Sequence, residues 1–269
     1  MNTILLTLSL SLGQLVKFSI GTQGGMILLD FAVIFFCIRA VLLYTKLRLL
    51  EPPLWIKASF VFILIAFLSL ILTPLSLTPI EYFTSASYTI RFALYIFLGW
   101  LIYSEVFPIK KRVDFILITS GTILAVLGIF QFIFLPDLKF LRQMGWDPHF
   151  YRTYSLFFDP NFLGAYLVLT LLLLSNQRKV LFTVVFLTLM TTFSRSSYIM
   201  FLLSFLTLSF FKRSVKLFFV TIILFALLLI SFQIYIKAVN QVTPLDRTQT
   251  AAYRFTTWRQ GLEIFLKNL

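Results

Sequence analysis

Three short polar clusters in a mostly apolar chain hold the residue types that could do chemistry. The first is Arg152, followed by Asp159, Pro160 and Asn161 against the apolar run that begins at Phe162. The second is the hydroxyl-rich turn Thr191-Thr192-Phe193-Ser194-Arg195-Ser196-Ser197. The third is Arg254 and Arg259, either side of Trp258. Arg91 stands apart, in the middle of an apolar segment. Ionised groups at or inside a hydrocarbon layer are costly, so they are kept where they pair, line water or bind a ligand. The arginine fork matches phosphate oxygens, and neighbouring hydroxyls add donors. The chemistry these clusters suit is therefore anion binding, centred on Arg195 with Ser194. The competing reading of Arg195 is an interfacial side chain that reaches lipid headgroups. Asp159-Pro160 also fits a helix start, with Asp159 as N-cap, Pro160 in the first turn and Arg152 paired to Asp159. A cap, however, requires neither Arg152 nor Asn161 on the same face. For Arg91 the choices are an ion pair with Asp30 or Asp159, or a ligand contact; Asp30 and Arg39 themselves fall near the ends of their segment, at the interfaces.

The elements that must position these groups are membrane helices. Hydrophobic residues make up 59% of the 269 and charged ones 12%, and apolar runs recur from end to end. About 20 apolar residues cross a bilayer core. Nine segments are expected, near 3–16, 26–45, 56–73, 82–103, 113–135, 155–175, 180–193, 196–211 and 217–236. The fold class is thus an all-α polytopic transmembrane bundle over 1–236, with 237–269 lying outside the membrane segments.

Basic clusters orient it. Lys46, Arg48 and Lys57, then Lys110 to Arg112, Arg178 with Lys179, and Lys212, Arg213 and Lys216 all fall inside if the N-terminus is cytoplasmic. A single helix over 180–211 would reach about 48 Å at 1.5 Å per residue and would separate two of those clusters, so a hairpin of short helices is expected, its tip recessed below the outer surface. The net charge of +13 is spread over these clusters. It reads as topology and anionic-lipid affinity rather than nucleic-acid binding, which needs a basic stripe on a soluble face. One cysteine, Cys37, and one histidine, His149, leave no internal disulfide and no multi-ligand metal site of those types. The N-terminus lacks a basic n-region and reads as a retained helix rather than a cleaved signal. Near the C-terminus, Phe255, Trp258, Leu262, Phe265 and Leu266 recur at helical spacing, giving an amphipathic helix that carries Arg254 and Arg259.

Taken together these residues resemble the O-antigen ligase and polymerase superfamily of bacterial envelope glycan assembly. Arg152 with Phe158-Asp159-Pro160-Asn161-Phe162-Leu163-Gly164 resembles that family's entry to a transmembrane helix, Thr192-Phe193-Ser194-Arg195-Ser196-Ser197 its hairpin tip, and Tyr253-Arg254-Phe255-Thr256-Thr257-Trp258 the start of its external loop. The likeness spans most of the chain from Leu12-Gly13-Gln14 onward. It implies an all-α inner-membrane protein, with its active face extracytoplasmic. The implied reaction passes a glycan from an undecaprenyl-pyrophosphate carrier to a lipid or glycan acceptor. The resemblance assigns the pyrophosphate to Arg195 and Arg254 without a metal or other cofactor; Arg152, Asp159, Asn161, Ser194, Arg259 and Arg91 are the other candidates for the substrate-binding vestibule. The family's proposed base is a histidine of the external loop, expected beyond Leu269, and His149 is not its counterpart. Within the same class the rival is a polysaccharide polymerase; outside it, a transporter or flippase for an anionic lipid-linked solute, or a non-catalytic remnant.

Overall fold

Prolines and caps set several of the helix starts. Pro53 precedes the helix that begins at Leu54, and Thr78 and Glu81 form a capping box in front of Pro79. Asp159 does the same work ahead of Pro160. The computed structural model describes residues 2–20, 24–42, 50–73, 76–106, 110–137, 151–175, 178–240 and 247–267. Lys46, Arg48 and His149 lie outside them.

The described residues form ten α-helices: α1 (Asn2–Leu12), α2 (Leu28–Leu42), α3 (Leu54–Ile71), α4 (Pro79–Tyr103), α5 (Val113–Phe134), α6 (Pro160–Leu174), α7 (Lys179–Thr192), α8 (Arg195–Phe211), α9 (Val215–Asn240) and α10 (Arg247–Lys267). The all-α reading stands with one addition. The expected helix over 3–16 ends at Leu12, and an antiparallel hairpin follows, β1 (Lys17–Ile20) on β2 (Gly24–Ile27), with Phe18 opposite Met26. Gln14 donates its backbone N–H to the Leu156 carbonyl at 2.8 Å, which draws the chain out of the helix and toward the segment before α6.

Four helices are long and apolar enough, by length and composition, to cross a membrane: Leu54–Ile71, Pro79–Tyr103, Val113–Phe134 and Val215–Ala238. This is an α-helical membrane protein. The other apolar helices are shorter, α6 and α7 having 15 and 14 residues. At 1.5 Å per residue they are about 21–22 Å long, against roughly 30 Å of hydrocarbon.

The region 180–211 divides as its length required: α7 and α8 are separate, joined at Phe193 and Ser194. They run antiparallel with aromatic rings between them, Phe182 against Phe205 and Phe186 against Phe201. Helix α6 packs on both, and α8 also packs on α9. These helices and α5 enclose the larger core, with Leu124, Leu163, Leu167, Leu189, Tyr198 and Phe201 buried. A second core joins α1, α2, α4 and the start of α5 through Leu6, Phe36, Leu98, Leu101 and Ile116. Small residues let the helices close up: a Cβ at Gly121 of α5 would sit 2.1 Å from the Thr170 hydroxyl of α6.

Candidate functional site

The C-terminal ends of α5 and α7 and the N-terminal ends of α6 and α8 meet at one end of the larger core, and segment 151–159 threads between them. Gln131, in the last turn of α5, holds that segment by both ends of its amide. Its Oε1 accepts from the backbone N–H groups of Tyr154 (3.1 Å) and Ser155 (3.4 Å), and its Nε2 donates to the Arg152 carbonyl at 3.3 Å. Thr153 completes the attachment to α7: its N–H donates to the Thr191 carbonyl at 2.9 Å, and the two threonine hydroxyls lie 2.7 Å apart. Neither Gln131 nor Thr153 stood out in the sequence. The available signal was a lone glutamine in an otherwise apolar segment.

Arg152 is half-buried and serves the end of α7. Its Nε donates to the Thr192 carbonyl (2.9 Å) and its Nη2 to the Phe193 carbonyl (3.3 Å). A helix leaves its last carbonyls without intrahelical partners and carries partial negative charge there, so a guanidinium is well suited to the position. This helix-end contact adds to what the sequence suggests for Arg152. Asp159 is the N-cap of α6, its Oδ1 accepting from the N–H groups of Asn161 (2.6 Å) and Phe162 (3.1 Å).

Asn161 and Ser194 bind the two helix N-termini to each other. The Ser194 hydroxyl donates to Asn161 Oδ1 at 2.7 Å and caps α8 by accepting from the Ser197 N–H. Ser196 and Ser197 place their hydroxyls 3.1 and 2.9 Å from Ser194 Oγ, and Ser197 Oγ is also 3.3 Å from the Asn161 carbonyl oxygen. Gly164 makes this contact possible, because a Cβ there would lie 2.3 Å from Ser197 Oγ and 2.7 Å from Ser197 Cβ.

Arg195 follows the cap as the first residue of α8, with its side chain exposed. Its guanidinium carbon sits 6.0 Å from the centre of the Phe232 ring of α9, within cation–π range. Beside it Phe193 stacks on Tyr235 at 4.1 Å.

The backbone here is strained. Among the described residues, six non-glycines have positive φ, and Tyr151, Ser155, Phe158 and Phe193 are four of them. Such conformations cost on the order of 1–3 kcal/mol each and persist where the surroundings over-determine them. The Ser155 hydroxyl is buried without a hydrogen-bond partner among the described residues. Burial pushes the Tyr154 hydroxyl well above the ordinary tyrosine value, and the Asp137 carboxylate adds to the effect.

The structure therefore brings Arg152, Asp159, Asn161, Ser194 and Arg195 together, and it puts Arg91 elsewhere. Arg91, on α4, donates from Nε to Asp30 Oδ1 at 2.8 Å, from Nη2 to the Gly25 carbonyl at 3.0 Å, and makes a second contact to Asp30 Oδ2. Asp30, in the first turn of α2, is buried, and it also accepts from Tyr95 Oη (2.9 Å) and the Ile27 N–H (2.8 Å). Desolvating the carboxylate is tolerable because four donors surround it. Arg259 is exposed and pairs with Glu263 one turn along α10 at 3.0 Å. Every side chain from Phe255 to Leu266 is exposed, and the side chain of Arg254 lies outside the described residues. Among the described residues, no three His, Cys, Asp or Glu side chains converge as metal ligands would. Comparison with protein-family models, characterised proteins and solved structures finds no match to this chain.

Proposed function

We propose that this protein handles a polyprenyl-diphosphate-linked glycan at the extracytoplasmic face of a bacterial inner membrane, and transfers the glycan to a lipid or glycan acceptor. The observation that carries the reading is Arg195, exposed at the N-terminus of α8 beside the exposed Ser196, while the buried Ser194 and Ser197 hydroxyls hold the helix end beneath it. A helix N-terminus and a guanidinium together suit a diphosphate.

A second feature supports it. A mostly apolar groove of about 410 Å³ is lined by Phe132, Tyr151, Phe193, Ile234 and Tyr235. Phe193 and Tyr235 thus border the groove while Phe193 is next but one to Arg195. An anionic head and an isoprenoid tail need these two surfaces side by side.

In the transfer, the bond between the anomeric carbon and the diphosphate oxygen breaks as an acceptor hydroxyl attacks the carbon, and the acceptor's proton leaves to a base. Charge grows on the departing diphosphate, so a preorganised guanidinium favours the transition state. Arg195 has that role. Asn161 and Ser194 fix the helix end from which it projects, and Arg152 holds the preceding turn; these act by positioning.

The test is binding of farnesyl diphosphate to the detergent-solubilised chain, with farnesol and inorganic pyrophosphate alongside. Losing a charge-assisted contact worth about 1.5–3 kcal/mol, Arg195→Ala should weaken farnesyl diphosphate roughly 10- to 100-fold while leaving farnesol unaffected. Equal binding of farnesol and farnesyl diphosphate to the wild type, or an unaffected Arg195→Ala variant, would sink the reading.

A further inference from the structure

The end of the larger core opposite Arg195 carries a second site, one that does not rest on the glycan reading. There α6 ends and α7 begins across Ser175 and Arg178, while α8 ends and α9 begins across Lys212 to Ser214. Two cavities open between these connections. The larger, about 720 Å³, runs between α7 and α9 over a floor of Phe186 and Phe205, with Arg178 and Lys179 at its mouth. The smaller, about 240 Å³, is lined by Ser175, Lys212, Ser214 and Lys216. They are contiguous, because Ser175, Leu217 and Val220 line both.

The arrangement has two parts of opposite character. The large cavity is apolar along its length and falls within the roughly 300–1,000 Å³ of small-molecule pockets. Its mouth and the adjoining small cavity gather four cations and two serine hydroxyls, and no acidic side chain among the described residues lines either space. A free phosphate would use the cations and leave the apolar cavity without purpose. An uncharged tail would do the reverse. A ligand with one anionic phosphate joined to acyl chains uses both.

Helix length supports the same occupant. With 15, 14 and 17 residues, α6, α7 and α8 are about 21–26 Å long, shorter than the roughly 30 Å hydrocarbon core. Helices this short thin the bilayer around them or draw lipid headgroups toward their ends. Side chains of Arg178, Lys179, Lys212 and Lys216 are exposed and long enough to reach a phosphate at that depth.

We infer that the α6–α7 and α8–α9 connections form a specific site for an anionic diacyl phospholipid, its phosphate held among Arg178, Lys179, Lys212 and Lys216 and one acyl chain laid in the groove between α7 and α9. Native mass spectrometry of the full chain, titrated with phosphatidylglycerol, phosphatidylcholine or glycerol 3-phosphate, tests it. Phosphatidylglycerol adducts should appear at roughly one-tenth the lipid concentration that phosphatidylcholine needs, since each nearby basic residue favours anionic lipid. Replacing the four cations (Arg178→Ser, Lys179→Ser, Lys212→Ser, Lys216→Ser) should abolish that preference. If the fourfold variant does not fold, Lys212→Ser with Lys216→Ser alone should reduce it. Thr183→Trp, which keeps the charge and fills the groove, should lower phosphatidylglycerol retention. Equal retention of the two phospholipids, or a preference that survives loss of the cations or filling of the groove, overturns the site. Displacement of phosphatidylglycerol by glycerol 3-phosphate also overturns it, leaving an ion site only.

Discussion

Substituting Gly164 by alanine tests whether the junction depends on the close approach of α6 and α8. The added Cβ would lie 2.3 Å from Ser197 Oγ and 2.7 Å from Ser197 Cβ, where ordinary contact begins at 3.4 Å. Ser197 cannot swing aside, because its own Cβ is among the clashing atoms. The helices must therefore part by about an ångström, and overpacking of this kind costs about 1–3 kcal/mol. The separation also stretches the Ser197 Oγ contacts to Ser194 Oγ (2.9 Å) and the Asn161 carbonyl (3.3 Å). Each lost hydrogen bond removes about 0.5–1.5 kcal/mol, for a total of roughly 2–6 kcal/mol. Thermal unfolding in detergent should show a fall of about 4–24 °C in apparent Tm. Gly261→Ala is the control, since nothing lies within 4 Å of a Cβ at that position, and it should not lower the Tm. Ser197→Gly removes the clashing atoms, so combined with Gly164→Ala it should melt no lower than Gly164→Ala alone, although it destabilises the wild type. A Gly164→Ala protein that melts with the wild type, or strictly additive losses in the double variant, would refute the reasoning.

Two further outcomes follow from the same structure. Asp30→Asn strands the Arg91 guanidinium; removing one partner of a buried pair costs about 3–5 kcal/mol, and with 31% of the Arg91 side chain exposed the lower end applies. Adding Arg91→Gln should recover most of the lost melting temperature, and an Asp30→Asn protein as stable as the wild type would show that the pair does not anchor the β1–β2 hairpin to α4. For Tyr154, whose burial raises its pKa, the folded state favours the protonated phenol. That contribution is fully present below the ordinary tyrosine value of about 10 and is lost as pH rises toward the folded value, so the wild type should lose stability above pH ~10 more steeply than Tyr154→Phe. Parallel unfolding curves for the two proteins across that range would count against it.

Much of the site was legible because its signals are local. An Asp-Pro step predicts a helix start from two adjacent residues, and Asp159 caps α6 as that step requires. The hairpin tip at Arg195 followed from length and charge alone, since one helix across 180–211 would have been too long for a bilayer. Arg152 shows where such reasoning stops. Its guanidinium donates to carbonyls at the end of α7 forty residues away, and carbonyls leave no mark in a sequence. Gln131 and Thr153 went unremarked for the same reason. Nothing in the sequence marks the β1–β2 hairpin, because four-residue strands give too short a period to register.

The sequence by itself determined that this is a helical membrane protein, where most helices begin, and which polar clusters interrupt the apolar runs. Hydrophobicity, prolines and caps act over a few residues, and such information is written in order along the chain. Tertiary structure alone decided which clusters meet. It joined Arg152, Asp159, Asn161, Ser194 and Arg195, and it withdrew Arg91 into a pair with Asp30. That selection depends on how closely helices approach, at Gly121 and Gly164 above all, and on which backbone carbonyls face which side chain. Those distances are set by packing across the whole core, so no stretch of sequence contains them.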